Sequence, residues 1–587
     1  MFTIFKTNSM KEGARYIARC LGQTDPARLD VGHIVIVPDR ASSEAEKEVL
    51  RALGGTFNVE VLTFRRLANA VLESKYRYMS KQTGIIALTG IVEDVKNQLT
   101  CYTKAYSSAG FIRNVYDTIS AFKYCRITPE MLMREDYHPS VRSKMKDLSL
   151  IYSCYRDFTE ERYVDSADKL DMLAQEAKNS SKIKDSYFYL YDFDNLTKQQ
   201  LRVIEQLARV SKGVTLACCA GKNDGDRYLY TDEIYNGVVN MLKQASIAYN
   251  VVESRNYVSG FTRQIGENLF RYHKVKPVEN NGFLTVFEGG SRVQEVYSLA
   301  CAIQRYVRRG HRYRDIYVVT SDITKYKNAV STIFEQFDIP YFCDSPTSLA
   351  QHVYAQFICD FLSSRNNLRL DKVLNWVKNP LFSLDNGDVW YFENFCLKYN
   401  VKYDYSRFRV GTADKLYPRA SNFRAKVQDL IEQVKLPATA TVSQYVAVVR
   451  QLIHCSALRE NNNLFAERQR EEGLLFQCRV TEQAEQKTEE ILVQLEEVSG
   501  QRVCSDEQFI SMLTTALTSV NISVLPVYSD CVVFANMAKA RKHDIGFLAL
   551  LGANHSEMPI IKGDCNLLND ENIKTCLLYT SPSPRDR

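Results

Sequence analysis

The stretch HIVIVPD, His33 to Asp39, is apolar at every position from Ile34 to Val37 and ends against a proline. A strand with one wet face would alternate apolar and polar residues. An unbroken run suits a strand covered on both faces, as in a parallel sheet flanked by helices. Its neighbours agree. Phe2 to Phe5 is a short apolar strand that turns into a helix from about Lys11. Ser43 and Glu46 have capping-box spacing at the start of the next helix. FNVEVLT (Phe57 to Thr63) reads as another strand, and FRRLANAVLESKY as a helix entered at Thr63. Strands alternating with helices predict an α/β fold built on parallel sheet.

The first strand–turn–helix junction is where many α/β proteins hold a phosphate. That use needs glycines, so that backbone N–H groups can wrap the anion, and a Lys-Ser/Thr pair behind them. Here the turn is Lys6-Thr7-Asn8-Ser9-Met10-Lys11-Glu12-Gly13, and Gly221-Lys222 elsewhere is followed by Asn223. The turn therefore reads as a helix entry capped by Ser9, with a degenerate nucleotide site as the alternative.

The 587 residues give room for roughly three to five domains. Strand signals fade from about Lys75 to Ser180, where helical apolar spacing takes over. They return with SYFYLYDF (Ser186 to Phe193), the helix TKQQLRVIEQLARV and the strand GVTLACCA. Glu253 to Gly282 is polar and reads as a linker. FLTVFEGG (Phe283 to Gly290) is expected to open a second alternating unit as a strand. The following helix carries Val293, Val296, Tyr297, Ala300, Ile303 and Val307 on one face. DIYVVT is a strand, and KYKNAVSTIFEQFDIPYF a helix and then a strand. Leu368 to about Ala516 is mostly helical, before the strands CVVFANM and IGFLALLG. One layout thus occurs twice. A first sheet domain, 1–75 and 181–280, carries a helical insertion at 76–180. A second, 281–365 and 517–575, carries one at 366–516. The tail CLLYTSPSPRDR, 576–587, breaks the pattern and reads as adapter-derived, so the chain is expected to be truncated near Thr575.

A net charge of +6 permits a nucleic-acid partner without demanding one. No apolar run reaches the ~18 residues of a membrane span, and no signal peptide precedes the first strand, so a cytoplasmic protein with no membrane partner is expected. The 16 cysteines form no C-x-x-C pair, which disfavours a zinc or thioredoxin-like site and fits a reducing compartment. The eight histidines form no H-E-x-x-H motif.

Strand ends supply the candidate chemistry, since ligands of open α/β sheets gather at the strands' carboxyl ends. LLGANHSEMP ends a strand and projects Asn554, His555 and Ser556. Asp39 reads as a turn carboxylate or cap. Asp192 reads as a Walker-B-like metal carboxylate or as a buried or capping residue. RYVRRGHRYRD (Arg305 to Asp315) interleaves arginines with tyrosines. That is either a phosphate-binding or base-stacking surface, or solvated arginines complementing a helix dipole. A nuclease needs clustered carboxylates and a lysine on a sheet. Glu485-Gln486-Lys487 has E-x-K spacing but lies in a helical window, so no nuclease site is assigned. No Ser/His/Asp or Cys/His triad is assembled.

Seven stretches, in order, carry a resemblance: VIVPDRASSEAEKEV, VEVLTFRRLANAVL, MKDLSLIYSCY, TKQQLRVIEQL, RVQEVYSLACAIQRYVRRGHRYRDIYVVT, FDIPYFCDSPTSL and VFANMAKARKHDIGFLALLGANHSEMP. They resemble AddB/RexB, the B subunit of the bacterial ATP-dependent helicase/deoxyribonuclease that resects double-strand breaks for recombination. The resemblance implies two RecA-like parallel-sheet domains, each with a helical insertion, as in superfamily 1 helicases. It implies DNA ends and single-stranded DNA as ligands, and an A subunit as partner that supplies the main motor and its ATP. A nuclease domain using Mg2+, often with a 4Fe-4S cluster, would lie beyond Thr575, which leaves no catalytic, cofactor or metal residue in this chain. Arg40, Phe64, Arg66 and Asn69 match the region that contacts single-stranded DNA. Asn69 stands where an aromatic is common. Arg292, Arg541 and Asn554 in the later stretches join them as candidate nucleic-acid contacts. Three departures point away from ATP hydrolysis by this chain. They are the turn at Lys6 to Gly13, Tyr191-Asp192-Phe193 in place of Asp-Gly-Phe, and Asn554-His555-Ser556 in place of Asn-Glu/Asp-Gly. The alternatives are a scaffold for the A subunit with little DNA affinity, or an active ATP-dependent motor.

Overall fold

A computed structural model describes the chain except for residues 25–27, 29, 73–77, 106–107, 134–138, 161–162, 166, 221–228, 255–260, 262–264, 266–281, 346, 366–368, 383–386, 402–411, 525–528, 539–544, 556, 559–566 and 569–587. Gly221-Lys222, most of the expected linker and the tail 576–587 therefore lie outside the described residues.

The first sheet consists of β1 (Phe2–Thr7), β2 (Gly32–Ile36), β3 (Val59–Leu62), β4 (Ser186–Leu190), β5 (Gly213–Cys219) and β6 (Tyr249–Glu253). Its order is β3-β2-β4-β5-β1-β6, and every pairing is parallel. Successive side chains of a strand point to opposite faces. Ile4, Ile34, Ile36, Phe188, Leu190 and Leu216 accordingly build one core. Phe5, Val35, Val37, Tyr189, Tyr191 and Ala217 build another on the far face. The α/β class with parallel sheet is the one expected.

Helices α1 (Met10–Gly22), α2 (Ser42–Leu53) and α3 (Phe64–Leu72) follow the first three strands. Thr63 caps α3 as expected, accepting the Arg66 N–H at 3.2 Å. Two capping expectations need correction. Ser9 occupies the N-cap of α1 but makes no side-chain cap bond. The Ser43–Glu46 box is not formed either, because α2 starts two residues earlier with Ala41 at its N-cap, and it is Ser42 Oγ that donates to Glu46 Oε1, at 3.4 Å.

Between β3 and β4, α4 (Lys81–Val95), α5 (Ala109–Tyr124) and α6 (Pro139–Glu160) pack around their own core. Gly84 makes this packing possible. A Cβ there would lie 2.5 Å from the Tyr116 ring and 2.7 Å from the Tyr155 hydroxyl.

The second sheet holds β7 (Ile316–Thr320), β8 (Tyr341–Cys343), β9 (Val532–Asn536) and β10 (Phe547–Leu551) in the order β8-β9-β7-β10, all parallel. Before β7 comes α7 (Arg292–Arg308), and after it α8 (Ile323–Gln336). Phe283 to Gly290 was expected as a strand and is not one. Its described residues join no sheet, and Phe283, Leu284, Val286 and Phe287 are exposed. Apolar alternation yields a strand only where a neighbouring ladder receives its N–H and C=O groups. On α7 the buried stripe is Val296, Leu299, Ala300 and Ile303, whereas Val293 and Tyr297 face solvent.

The second helical region, between β8 and β9, includes α9 (Val353–Ser364), α10 (Leu475–Ser499) and α11 (Asp506–Ser519). Its core surrounds Trp376, whose ring lies 5.1 Å from both Phe361 and Phe382. The two helical regions are joined. Ile86 of α4 enters the second core. Arg502 also grips both oxygens of Asp94, at 3.0 and 2.6 Å.

Candidate nucleic-acid interface

At the end of β1 the turn folds against its own sheet. Lys6, 8% exposed, points its ammonium at Glu253 of β6, 3.7 Å away, and over the Tyr235 ring at 4.9 Å. Glu12, in the first turn of α1, is buried and bonded to Arg19 at 3.0 Å. A helix N-terminus attracts an anion; here the first turn carries the buried carboxylate of Glu12, and Lys6 is paired with Glu253. Asp192, at the end of β4, is buried and has a left-handed backbone, with φ at +65°. Among the described residues, no group of three or more His, Cys, Asp or Glu could hold a metal ion.

Arg40 follows β2 and spans the gap between the two sheets. One Nη donates to Asp194, just past β4, and the other to the Ala538 carbonyl, just past β9, at 2.7 Å. Its hydrogen-bonding capacity serves the protein first. Phe64 needs correction as a base-stacking candidate: it is 5% exposed and lies in the sheet core, its ring 5.6 Å from Phe193. The spacing Phe64, Leu67, Ala68, Leu72 is the buried stripe of α3.

The opposite face of α3 is solvated. Arg65, Arg66 and Asn69 are all exposed there. Arg66 rests on Ser42 Oγ at 3.3 Å and Glu46 at 3.5 Å, with its side chain 54% exposed. Asn69 accepts a hydrogen bond from Lys169 Nζ at 3.1 Å, and that ammonium also lies over the Tyr78 ring at 3.8 Å. Burial, and secondarily Arg65, pulls the Lys169 pKa below its usual value. Sequence reasoning missed Lys169, which is a hundred positions from its partner and carries no local motif.

On the second sheet, Arg292 and Asn554 approach one another through Glu557. Arg292 Nη2 donates to Glu557 at 2.8 Å, Lys325 donates to the same oxygen at 3.1 Å, and both hold the Glu557 carboxyl below the usual range. The Asn554 carbonyl accepts the N–H groups of Glu557 and Met558, closing the turn, while its side chain is exposed. Glu295 binds the Gly552 N–H at 2.8 Å and the Tyr326 hydroxyl at 2.7 Å. Arg541 lies outside the described residues.

Comparison with known proteins matches this chain, over residues 23–264, to a family model described as ADDB, N-terminal. More than nine-tenths of the chain is similar to proteins named as the B subunit of an ATP-dependent helicase/deoxyribonuclease. The relative from Clostridium botulinum (strain Hall) is 24% identical, across 92% of this chain and 51% of its own length. Those from Anoxybacillus flavithermus and Bacillus pumilus are each 26% identical, across 94% and 92% of this chain and 53% and 51% of theirs. The chain spans about half the length of these curated relatives. By the match over residues 23–264 and the breadth of that similarity, the chain is similar to the AddB/RexB proteins, in keeping with its seven stretches.

Proposed function

We propose that this chain is the helicase-like part of a subunit that works with a motor-bearing A subunit in DNA-break repair in the cytoplasm. It holds single-stranded DNA and hydrolyses no ATP of its own. ATP belongs to its partner. The observation that supports the ATP reading is the turn after β1, where Lys6 is paired with Glu253 and the first turn of α1 carries a buried carboxylate, Glu12. The DNA reading is supported by the solvated face of α3 with Arg65, Arg66, Asn69 and Lys169. Partly exposed ion pairs are worth about 0–1 kcal/mol, so Arg66 can exchange Glu46 for a phosphate at little cost.

Two measurements test this. Titration of the purified chain with a fluorescent ATP analogue and magnesium is expected to give no saturable binding; tight, magnesium-dependent capture refutes the ATP reading. Arg65→Ala with Arg66→Ala is expected to weaken binding to oligo-dT and to lower its salt slope by roughly 0.7 per lost phosphate contact. A second reading, a docking subunit with little DNA affinity, is favoured by the burial of Phe64 and the engagement of Arg40. Unchanged oligo-dT affinity and slope in the double variant would favour it.

A further inference from the structure

The segment RYVRRGHRYRD resolves into two chemically distinct halves. Its rings turn inward. Tyr306 and Tyr313 pack against the core of the second sheet. Tyr306 is covered by His311, stacked at 4.0 Å and 11°, and by Phe547 at 5.3 Å. Gly310, at φ +92°, makes the reversal that brings His311 back over Tyr306. The arginines turn outward: Arg305, Arg308, Arg309 and Arg312 are all exposed. The side-chain bonds of Arg305 and Arg308 go to neutral acceptors, the Cys301 carbonyl and Gln304. Two acids lie alongside, Asp530 and Asp315. Asp530 accepts the Arg314 N–H at 2.9 Å, and the Asp315 carboxylate lies close enough to Tyr306 to help burial raise its pKa.

The helix dipole accounts for Arg305 and Arg308, in the last turn of α7. It does not account for Arg309 at the cap and Arg312 beyond it. We propose that Arg305, Arg308, Arg309 and Arg312 form a second nucleic-acid surface, one that holds the sugar–phosphate backbone of duplex DNA. Capture of single strands combines positive charge with aromatic faces on which bases stack. Here Tyr306 and Tyr313 are packed into the protein, so the surface offers mainly charge, and charge suffices for a duplex backbone. The surface is also separate from the strand-end interface. Arg292 begins α7 at the carboxyl ends of the strands, and the 17-residue helix carries the chain about 25 Å to the other end of the sheet. The inference goes beyond the α3 reading and does not depend on it.

The test is fluorescence anisotropy of a short blunt duplex and of oligo-dT, over a salt series, on the whole chain. The variant is Arg305→Gln, Arg308→Gln, Arg309→Gln and Arg312→Gln together, beside a set with lysine at the same four positions. The glutamine variant is expected to lose about 10-fold or more in duplex affinity near 0.1 M salt, with a log–log slope shallower by roughly 3–4. Its oligo-dT affinity stays within twofold, and the lysine set keeps the wild-type slope, because phosphate contacts read charge and not fork geometry. Duplex affinity and slope equal to wild type overturn the proposal. So does an equal loss on oligo-dT, which assigns the arginines to the single-strand path. Loss of co-purification with the partner subunit at unchanged DNA binding also overturns it and makes the surface a protein dock. The four side chains are exposed, so the melting curve is expected to hold.

Discussion

Replacing Lys123 with methionine removes one charge from a buried network and leaves its length in place. Lys123 sits on α5 with 6% of its side chain exposed, its Nζ 3.2 Å from Asp165 and 2.7 Å from Asp168. Asp165, 1% exposed, also accepts the Tyr155 hydroxyl at 3.0 Å and the Tyr116 hydroxyl at 3.4 Å. Asp168 is 41% exposed and can turn to water; Asp165 cannot. Without Lys123 it remains a buried carboxylate that has lost its ammonium, a change that costs about 3–5 kcal/mol. A chain with several cores has no single unfolding free energy, so the effect is read locally, as hydrogen exchange of the amides in α5 and α6. Protection there should fall by roughly 100-fold or more, since about 1.4 kcal/mol is a factor of ten, while amides of β1 and β5 keep theirs. Lys123→Met combined with Asp165→Asn should recover most of the loss, because the stranded charge is gone. A fall of less than about tenfold in the single variant, or no recovery in the double, would refute the assignment of this network as a desolvated ion pair.

Gly84→Ala should destabilise the first helical region by about 1–3 kcal/mol through overpacking against Tyr116 and Tyr155, where an exposed helical glycine would gain about 1 kcal/mol from the same change; the melting temperature decides the sign. His352 at the N-cap of α9 accepts the Tyr354 N–H at 3.3 Å through Nδ1, and burial pushes its pKa down to about 4. Its folded pKa lies below the unfolded value of about 6.5, so the unfolded chain binds more protons in between. The stability that the neutral imidazole contributes is therefore complete above about pH 6.5 and is lost as pH falls toward 4. His352→Gln should flatten the denaturation midpoint between pH 7 and 5, and an unchanged pH slope would remove His352 from the account. Arg502→Ala should cost about 1 kcal/mol, less at high salt, because its partner Asp94 is 64% exposed; limited proteolysis between the two helical regions reports it.

What the sequence made legible follows from how completely a residue's surroundings dictate it. HIVIVPD could be read as a buried parallel strand because Val35 and Val37 serve one core and Ile34 and Ile36 another. The helix TKQQLRVIEQLARV is present, its start closed by a local capping box between Thr197 and Gln200. FLTVFEGG misled, since the partner that would make it a strand is not written within it. At the interface, the resemblance carried Phe64 over together with Arg66 and Asn69, and the spacing of α3 exposes only the two polar ones. That same spacing placed Phe64 with Leu67 and Ala68 on the buried side. Arg40 to Asp194 and Lys169 to Asn69 are contacts across 154 and 100 positions, beyond the reach of any local pattern.

These long-range pairs share a direction. Carboxyl ends of parallel strands are where an open α/β sheet takes its ligand, and in the first sheet the protein occupies those places itself. Lys6 is spent on Glu253, Arg40 on Asp194 and Ala538, and Phe64 on Phe193. The cations left to solvent include those along α3 and at the far end of α7. On the two readings proposed above, this chain meets DNA over those surfaces and not in the crevice. Contacts of that kind position a backbone without reading bases, so affinity should depend steeply on salt and weakly on sequence. A strong preference for one short sequence at constant salt, shown by the chain alone, would mean that the crevice opens and that Arg40 lets go of Ala538 to admit a strand.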